Sequence, residues 1–175
     1  MTKHLFTFWI LLCATATAYS ADLSDNEIKA LLARATMVKD AFDRGDSETV
    51  IKMTHPSIYR LTNGKEAFEA LTRQSFKQVA TLGITILDSS LSPPSRIYNS
   101  GTDTVCFIPR TSVMTANGKK VRSIGFLIAV RGSDTSDWLF LDGSGLRKNP
   151  ESLKTLLPGL PKDVALPENR KELIE

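Results

Sequence analysis

Histidine and cysteine are scarce in this 175-residue chain: it has two of each, and one of each falls in the first twenty residues. Beyond those twenty only His55 and Cys106 remain, so no cluster of thiolate and imidazole ligands can assemble around a metal. For the same reason no disulfide framework is available within one mature chain. The carboxylates show no calcium-loop spacing, and no glycine-rich phosphate loop is present. No stretch supplies the roughly 20 consecutive apolar residues of a membrane span. These absences point to a protein that works without metal or other cofactor. Cys106, inside the apolar run VCFIP, reads as a buried thiol.

What is present begins with an address. The segment MTKHLFTFWILLCATATAYS places Lys3 before an apolar run from Leu5 to Leu12 and closes on small residues at Ala18 and Ser20. This predicts a secretory signal peptide over residues 1–20, cut near Ser20, with the mature chain periplasmic or secreted and without a stable membrane anchor. Leu12 ahead of Cys13 argues against lipidation. The remaining 155 residues suit one domain, read as a body over 21–160 and a C-terminal tail over 161–175. Only Lys3 of the 22 basic residues lies in the first twenty, which leaves 21 against 19 acidic residues. That near balance gives no basic field for nucleic acid. Lys119, Lys120 and Arg122 flank a turn and read as a solvated hairpin end.

Helical signals start at Ser24, where S-D-N-E offers a capping box. Ile28, Leu31, Leu32, Ala35, Val38 and Phe42 then recur at helical spacing until Gly45. Asp46 can cap a short second helix ending before His55-Pro56. Ile58 to Leu61 is expected as a short strand, and a third helix is expected over about 65–82. From Ile84 to Asp142 the pattern turns to β-branched residues and alternation. Asn117-Gly118, the dipeptide that a two-residue hairpin turn prefers, pairs two long strands so that Phe107 faces Ile128, Cys106 faces Ala129 and Arg110 faces Gly125. One face of that hairpin carries Val105, Phe107, Pro109, Phe126, Ile128 and Val130. The other carries Cys106, Ile108, Leu127 and Ala129, followed toward the turn by Arg110, Ser112 and Ser123. Both faces therefore need cover: the helices on one side; a partner subunit, the tail or a ligand cavity on the other. Pro109 implies an edge or a bulge, and the last residues are expected to fray. The fold class is thus α+β, a curved antiparallel sheet packed against N-terminal helices.

The segments AFDRGDSETVIKMTHPSIYR, NGKEAFEAL and WLFLDG, in that order of elements, resemble the nuclear transport factor 2-like superfamily, which includes SnoaL-like and ketosteroid-isomerase-like proteins. The resemblance implies a cone-shaped sheet closed by helices around a pocket, often in a homodimer joined through the outer sheet face. It also implies that some members are isomerases, dehydratases, cyclases or hydrolases while many only bind.

Period-two alternation puts Trp138, Phe140 and Asp142 on one face; with Tyr59 they form the expected ligand pocket. Asp142, Tyr59 and His55 are the candidate catalytic groups, a carboxylate, a phenol and an imidazole of the kinds that acid–base chemistry uses. Each has a simpler role. Asp142 can open the D-G-S-G turn, and His55, between a helix end and Pro56, can satisfy free backbone groups. Arg110 and Arg122 fall on opposite faces and are read as surface charges with their stems on the sheet. The functional expectation is a cofactor-free binding domain for a small apolar ligand or a protein partner, without catalysis. The alternatives are a small isomerase, dehydratase or hydrolase and a periplasmic immunity or accessory protein.

Overall fold

The structure, a computed structural model, describes residues 23–94 and 96–174. The expected signal peptide lies outside the described residues. Helix α1 runs Asp25–Arg44, and its start is the anticipated capping box: the Ser24 hydroxyl accepts from the Glu27 N–H at 3.4 Å while the Glu27 carboxylate accepts from the Ser24 N–H at 3.0 Å. Leu31, Ala35, Val38 and Ala41 form its buried stripe, and Gly45, left-handed at φ 75°, ends it. Helix α2, Ser47–Lys52, is capped by Asp46, which accepts from the Thr49 N–H at 3.0 Å.

Pro56–Leu61 forms a 3-10 helix, not the strand expected from Ile58 to Leu61. Pro56 at the first helical position favours that outcome, as does the cap immediately before it: the His55 ring nitrogen accepts from the Ser57 N–H at 3.3 Å. Helix α3 follows over Lys65–Thr81.

The sheet has six strands, all antiparallel: β1 (Thr85–Leu91), β2 (Ile97–Ser100), β3 (Asp103–Ala116), β4 (Lys119–Arg131), β5 (Leu139–Asp142) and β6 (Arg170–Leu173). The β3–β4 hairpin keeps the register set by Asn117-Gly118 throughout, from Ala116 opposite Lys119 to Thr104 opposite Arg131. Both turn residues have positive φ, 52° and 73°, which is the requirement of a type I′ turn. β1 and β2 run in succession along the far side of β3, the first ending opposite Arg110 and the second starting opposite Cys106. Pro109 falls in the gap between them. A residue with no N–H to donate thus sits where the neighbouring strand is interrupted.

The two hairpin faces bury two separate clusters. On the helix side Cys106, Ile108, Leu127 and Ala129 pack with Leu31, Ala35, Val38, Met53, Trp138 and Phe140. On the outer side Val105, Phe107, Phe126, Ile128 and Val130 pack with Leu141, Leu146, Leu156 and Leu157, with Leu160 and Val164 against them. Of the three covers open to the outer face, the chain's own C-terminal segment supplies one. That segment includes a 3-10 turn at Gly143–Arg147 and helix α4, Ser152–Leu156. Arg60 holds it in place by donating to the Thr155 and Leu156 carbonyls at 3.2 and 3.4 Å. The tail expected to fray instead forms a strand over Arg170–Leu173: β6 pairs with β4 from Val121 to Ile124, and the Arg122 guanidinium meets the Glu172 carboxylate at 2.9 Å.

Candidate functional site

Helix α3 carries the same kind of apolar stripe as α1, yet none of its residues is buried. Leu71 is 52 % exposed and Val79 43 %. The reason is spacing. α2 and the 3-10 helix after Pro56 support α3 from below, and its apolar side faces an open trough above the sheet. Two adjoining cavities make up that trough. One, of about 310 Å³, lies between α3 (Phe68, Leu71, Thr72) and the floor made by Leu127, Phe140 and Leu141. The other, of about 550 Å³, extends toward the hairpin turn over Arg110, Ser112, Met114, Ser123 and Gly125. Both volumes lie in the range of about 300–1,000 Å³ typical of small-molecule sites.

Phe42, Ser75, Phe76 and Asp142 line both cavities, so the two meet at a waist. The Phe42 and Phe76 rings are stacked there, with centroids 5.6 Å apart and planes inclined by 25°. The trough is zoned along its length. Its inner part is walled by aliphatic and aromatic groups with a few threonines. Its outer part is still mostly apolar but carries more polar and charged groups, because the helix-side face of the hairpin changes from Ile108 and Leu127 to Arg110, Ser112 and Ser123 as it approaches the turn.

Arg110 is not the surface charge expected from the sequence. The last turn of α1 lies across β3 and brings the Asp43 carboxylate within 2.9 Å of the guanidinium, with both side chains less than a fifth exposed. Lys39 also meets Asp43 at 2.9 Å. The guanidinium stands 5.4 Å from the Phe42 ring centroid, and its Nε donates to the Ser89 hydroxyl at 3.4 Å. Sequence reading missed this pair because residues 43 and 110 belong to elements whose relative placement is a tertiary fact. The polar switch on the hairpin face was the visible sign.

The five sequence-derived site residues separate. Phe140 and Asp142 reach the trough. Trp138 is core, packed in the helix-side cluster with the Arg131 guanidinium 4.7 Å above its ring. Tyr59 leans on Phe68 at 5.7 Å and lines neither cavity. His55 does two structural jobs. Its backbone N–H donates to the Phe140 carbonyl at 2.9 Å, which ties the α2 end to β5, and its ring caps the following 3-10 helix. Burial holds the imidazole pKa below its ordinary value; Arg60 adds to that and Asp103 opposes it. Asp142 is exposed, and both its oxygens are engaged by Ser144, one by the N–H at 3.0 Å and one by the hydroxyl at 2.6 Å. Three candidate acid–base groups therefore do not converge on one point.

Other chemistry is thinly supplied. The hydroxyl next to the His55 ring is that of Ser57, at 2.9 Å, and Ser57 is buried, away from both cavities. Burial pushes the Cys106 thiol up to about 12, so it stays protonated at neutral pH. Among the described residues no group of three His, Cys, Asp or Glu could hold a metal ion, and no helix is long and apolar enough to cross a membrane. No family model, curated protein or solved structure matches the chain.

Proposed function

We propose that the protein is an exported, periplasmic or secreted member of the nuclear transport factor 2-like superfamily that holds a small apolar ligand in its trough without transforming it. One observation carries this reading: a 17-residue amphipathic helix keeps its apolar side over open space instead of on the sheet. Leaving apolar surface unburied forfeits about 25 cal/mol for each Å², so a helix held in that position is best accounted for by an occupant. The separation of His55, Tyr59 and Asp142 supports binding over acid–base catalysis. Asp142 alone favours the second reading, a small isomerase, dehydratase or hydrolase, because it lies at the waist between the cavities.

Native mass spectrometry of the protein purified from its own cells tests the proposal. A retained small-molecule mass, absent from a Ser75→Trp variant whose indole fills the waist, is the expected result. A protein that carries a second polypeptide and no small molecule would replace it with the accessory-protein reading. Turnover of any apolar compound that Asp142→Ala abolishes would replace it with the enzyme. Self-association belongs to the proposal only through surface that the tail leaves open. Sedimentation across micromolar concentrations reads that part directly, and a constant monomer mass removes it.

A further inference from the structure

The trough is charged unevenly, and the imbalance identifies one end of its occupant. Five charged side chains line the larger cavity: Arg44, Arg110 and Lys171 against Asp43 and Asp142. Of the two acids only Asp43 is ion-paired, while Asp142, at the boundary with the smaller cavity, is held by a neutral serine and keeps its charge, which leaves the lining with one positive charge in excess. Asp43 faces Arg110 and Lys39, and Asp142 accepts two hydrogen bonds from Ser144. Neither Arg44 nor Lys171 forms a close ion pair among the described residues, although the Arg44 charge is felt by Asp40 and Asp46 beside it. They enter from opposite sides, Arg44 from the last turn of α1 and Lys171 from β6, where it sits opposite Ser123. The smaller cavity is walled mainly by apolar groups with a few hydroxyls and carries one charged residue, the same Asp142 at its boundary with the larger one.

On the footing of the ligand-binding reading above, we propose that the occupant is a single-chain anionic amphiphile, such as a long-chain fatty acid. Its tail lies in the smaller cavity beneath α3. Its head lies in the larger one between Arg44 and Lys171, within reach of the hydroxyls of Ser112 and Ser123. The C-terminal ends of α1 and α3 carry partial negative charge and oppose an anion, but that effect falls off within the last turn, where Arg44 already offsets it. A cation on a planar fork and one on a flexible stem both suit a carboxylate or a phosphate head. The Phe42–Phe76 stack marks the point at which chain gives way to head.

The test is calorimetric titration of the purified protein with three twelve-carbon probes, each below its micelle concentration: dodecanoate, dodecanol and dodecyltrimethylammonium. Dodecanoate is expected to bind tightest, and binding should strengthen about fourfold per added methylene in longer carboxylates. An Arg44→Gln, Lys171→Gln double variant, changed only at exposed positions, should bind dodecanoate roughly three- to tenfold more weakly and dodecanol unchanged. Dodecyl phosphate in place of dodecanoate tells whether a carboxylate or a phosphate head is preferred. Equal binding of dodecanol and dodecanoate, with no effect of the double variant, overturns the anionic head and leaves the apolar trough standing. Tightest binding of the ammonium probe reverses the inference. No binding of any probe removes this inference and the ligand-binding reading together.

Discussion

Helices α1 and α3 are similar in length and in the spacing of their apolar residues, yet one buries four side chains and the other none. α1 meets Cys106, Ile108, Leu127 and Ala129 directly, so its stripe becomes core. α3 meets a cavity. Amphipathic spacing therefore tells which side of a helix faces inward and leaves open whether protein or space waits there. A core helix and a wall helix can share one pattern, and only the second is free to have its inward residues chosen for a ligand.

Stability measurements sharpen the contrast. Leu31→Ala should cost about 2–5 kcal/mol, because it leaves a void in fully packed surroundings, whereas Leu71→Ala on α3 should cost less than about 1 kcal/mol. Urea denaturation of both variants reads the difference, and equal losses would mean that α3 is packed after all. Gly143→Ala comes next. A Cβ there would lie 2.5 Å from the Phe126 ring and 2.7 Å from its carbonyl oxygen, so overpacking at the junction between trough and tail should cost about 1–3 kcal/mol. An unchanged urea midpoint would show that the outer cluster yields easily.

The smallest effect concerns His55. Its pKa in the folded protein is lowered by burial, so the unfolded chain binds the proton more readily. Stability should be complete above the unfolded value near 6.5 and should fall as pH drops through it, levelling off below the depressed folded value. His55→Gln should lose that slope between pH 7.5 and 5.5. Persistence of the slope in the variant would assign it to other groups.

The sequence made the hairpin fully legible, because Asn117-Gly118 allows one turn and a two-residue turn fixes every later pair. The two buried clusters followed from that register by alternation. The strand expected at Ile58–Leu61 became a 3-10 helix because Pro56 and the His55 cap act locally and override a short β-prone run. β6 was invisible for a different reason. Its four residues, RKEL, include three charged ones and show no alternation; their place is set by pairing with β4 and by the Arg122–Glu172 contact. The site was half legible: Phe140 and Asp142 lay on the right face, but Trp138 on that same face ended in the core. The trough itself could not be read, since its depth depends on where α3 stands above the sheet.

The way short strands share the sides of the hairpin bears on how the chain behaves when crowded. β3 and β4, of 14 and 13 residues, contain the runs VCFIP and IGFLIAV. Such β-prone apolar segments, left unpaired, would template the stacking of other chains. β3 is flanked by β1 and β2, and β4 by β5 and β6, so both long strands lie inside the sheet. The strands that face outward are seven residues or shorter, and the longest, β1, is broken by a bulge between Ile86 and Asp88. Short or irregular edges, one of them the charged β6, discourage edge-to-edge aggregation. The tail that covers the outer cluster and supplies β6 thus also shields part of β4 from edge-to-edge pairing with strands of other chains.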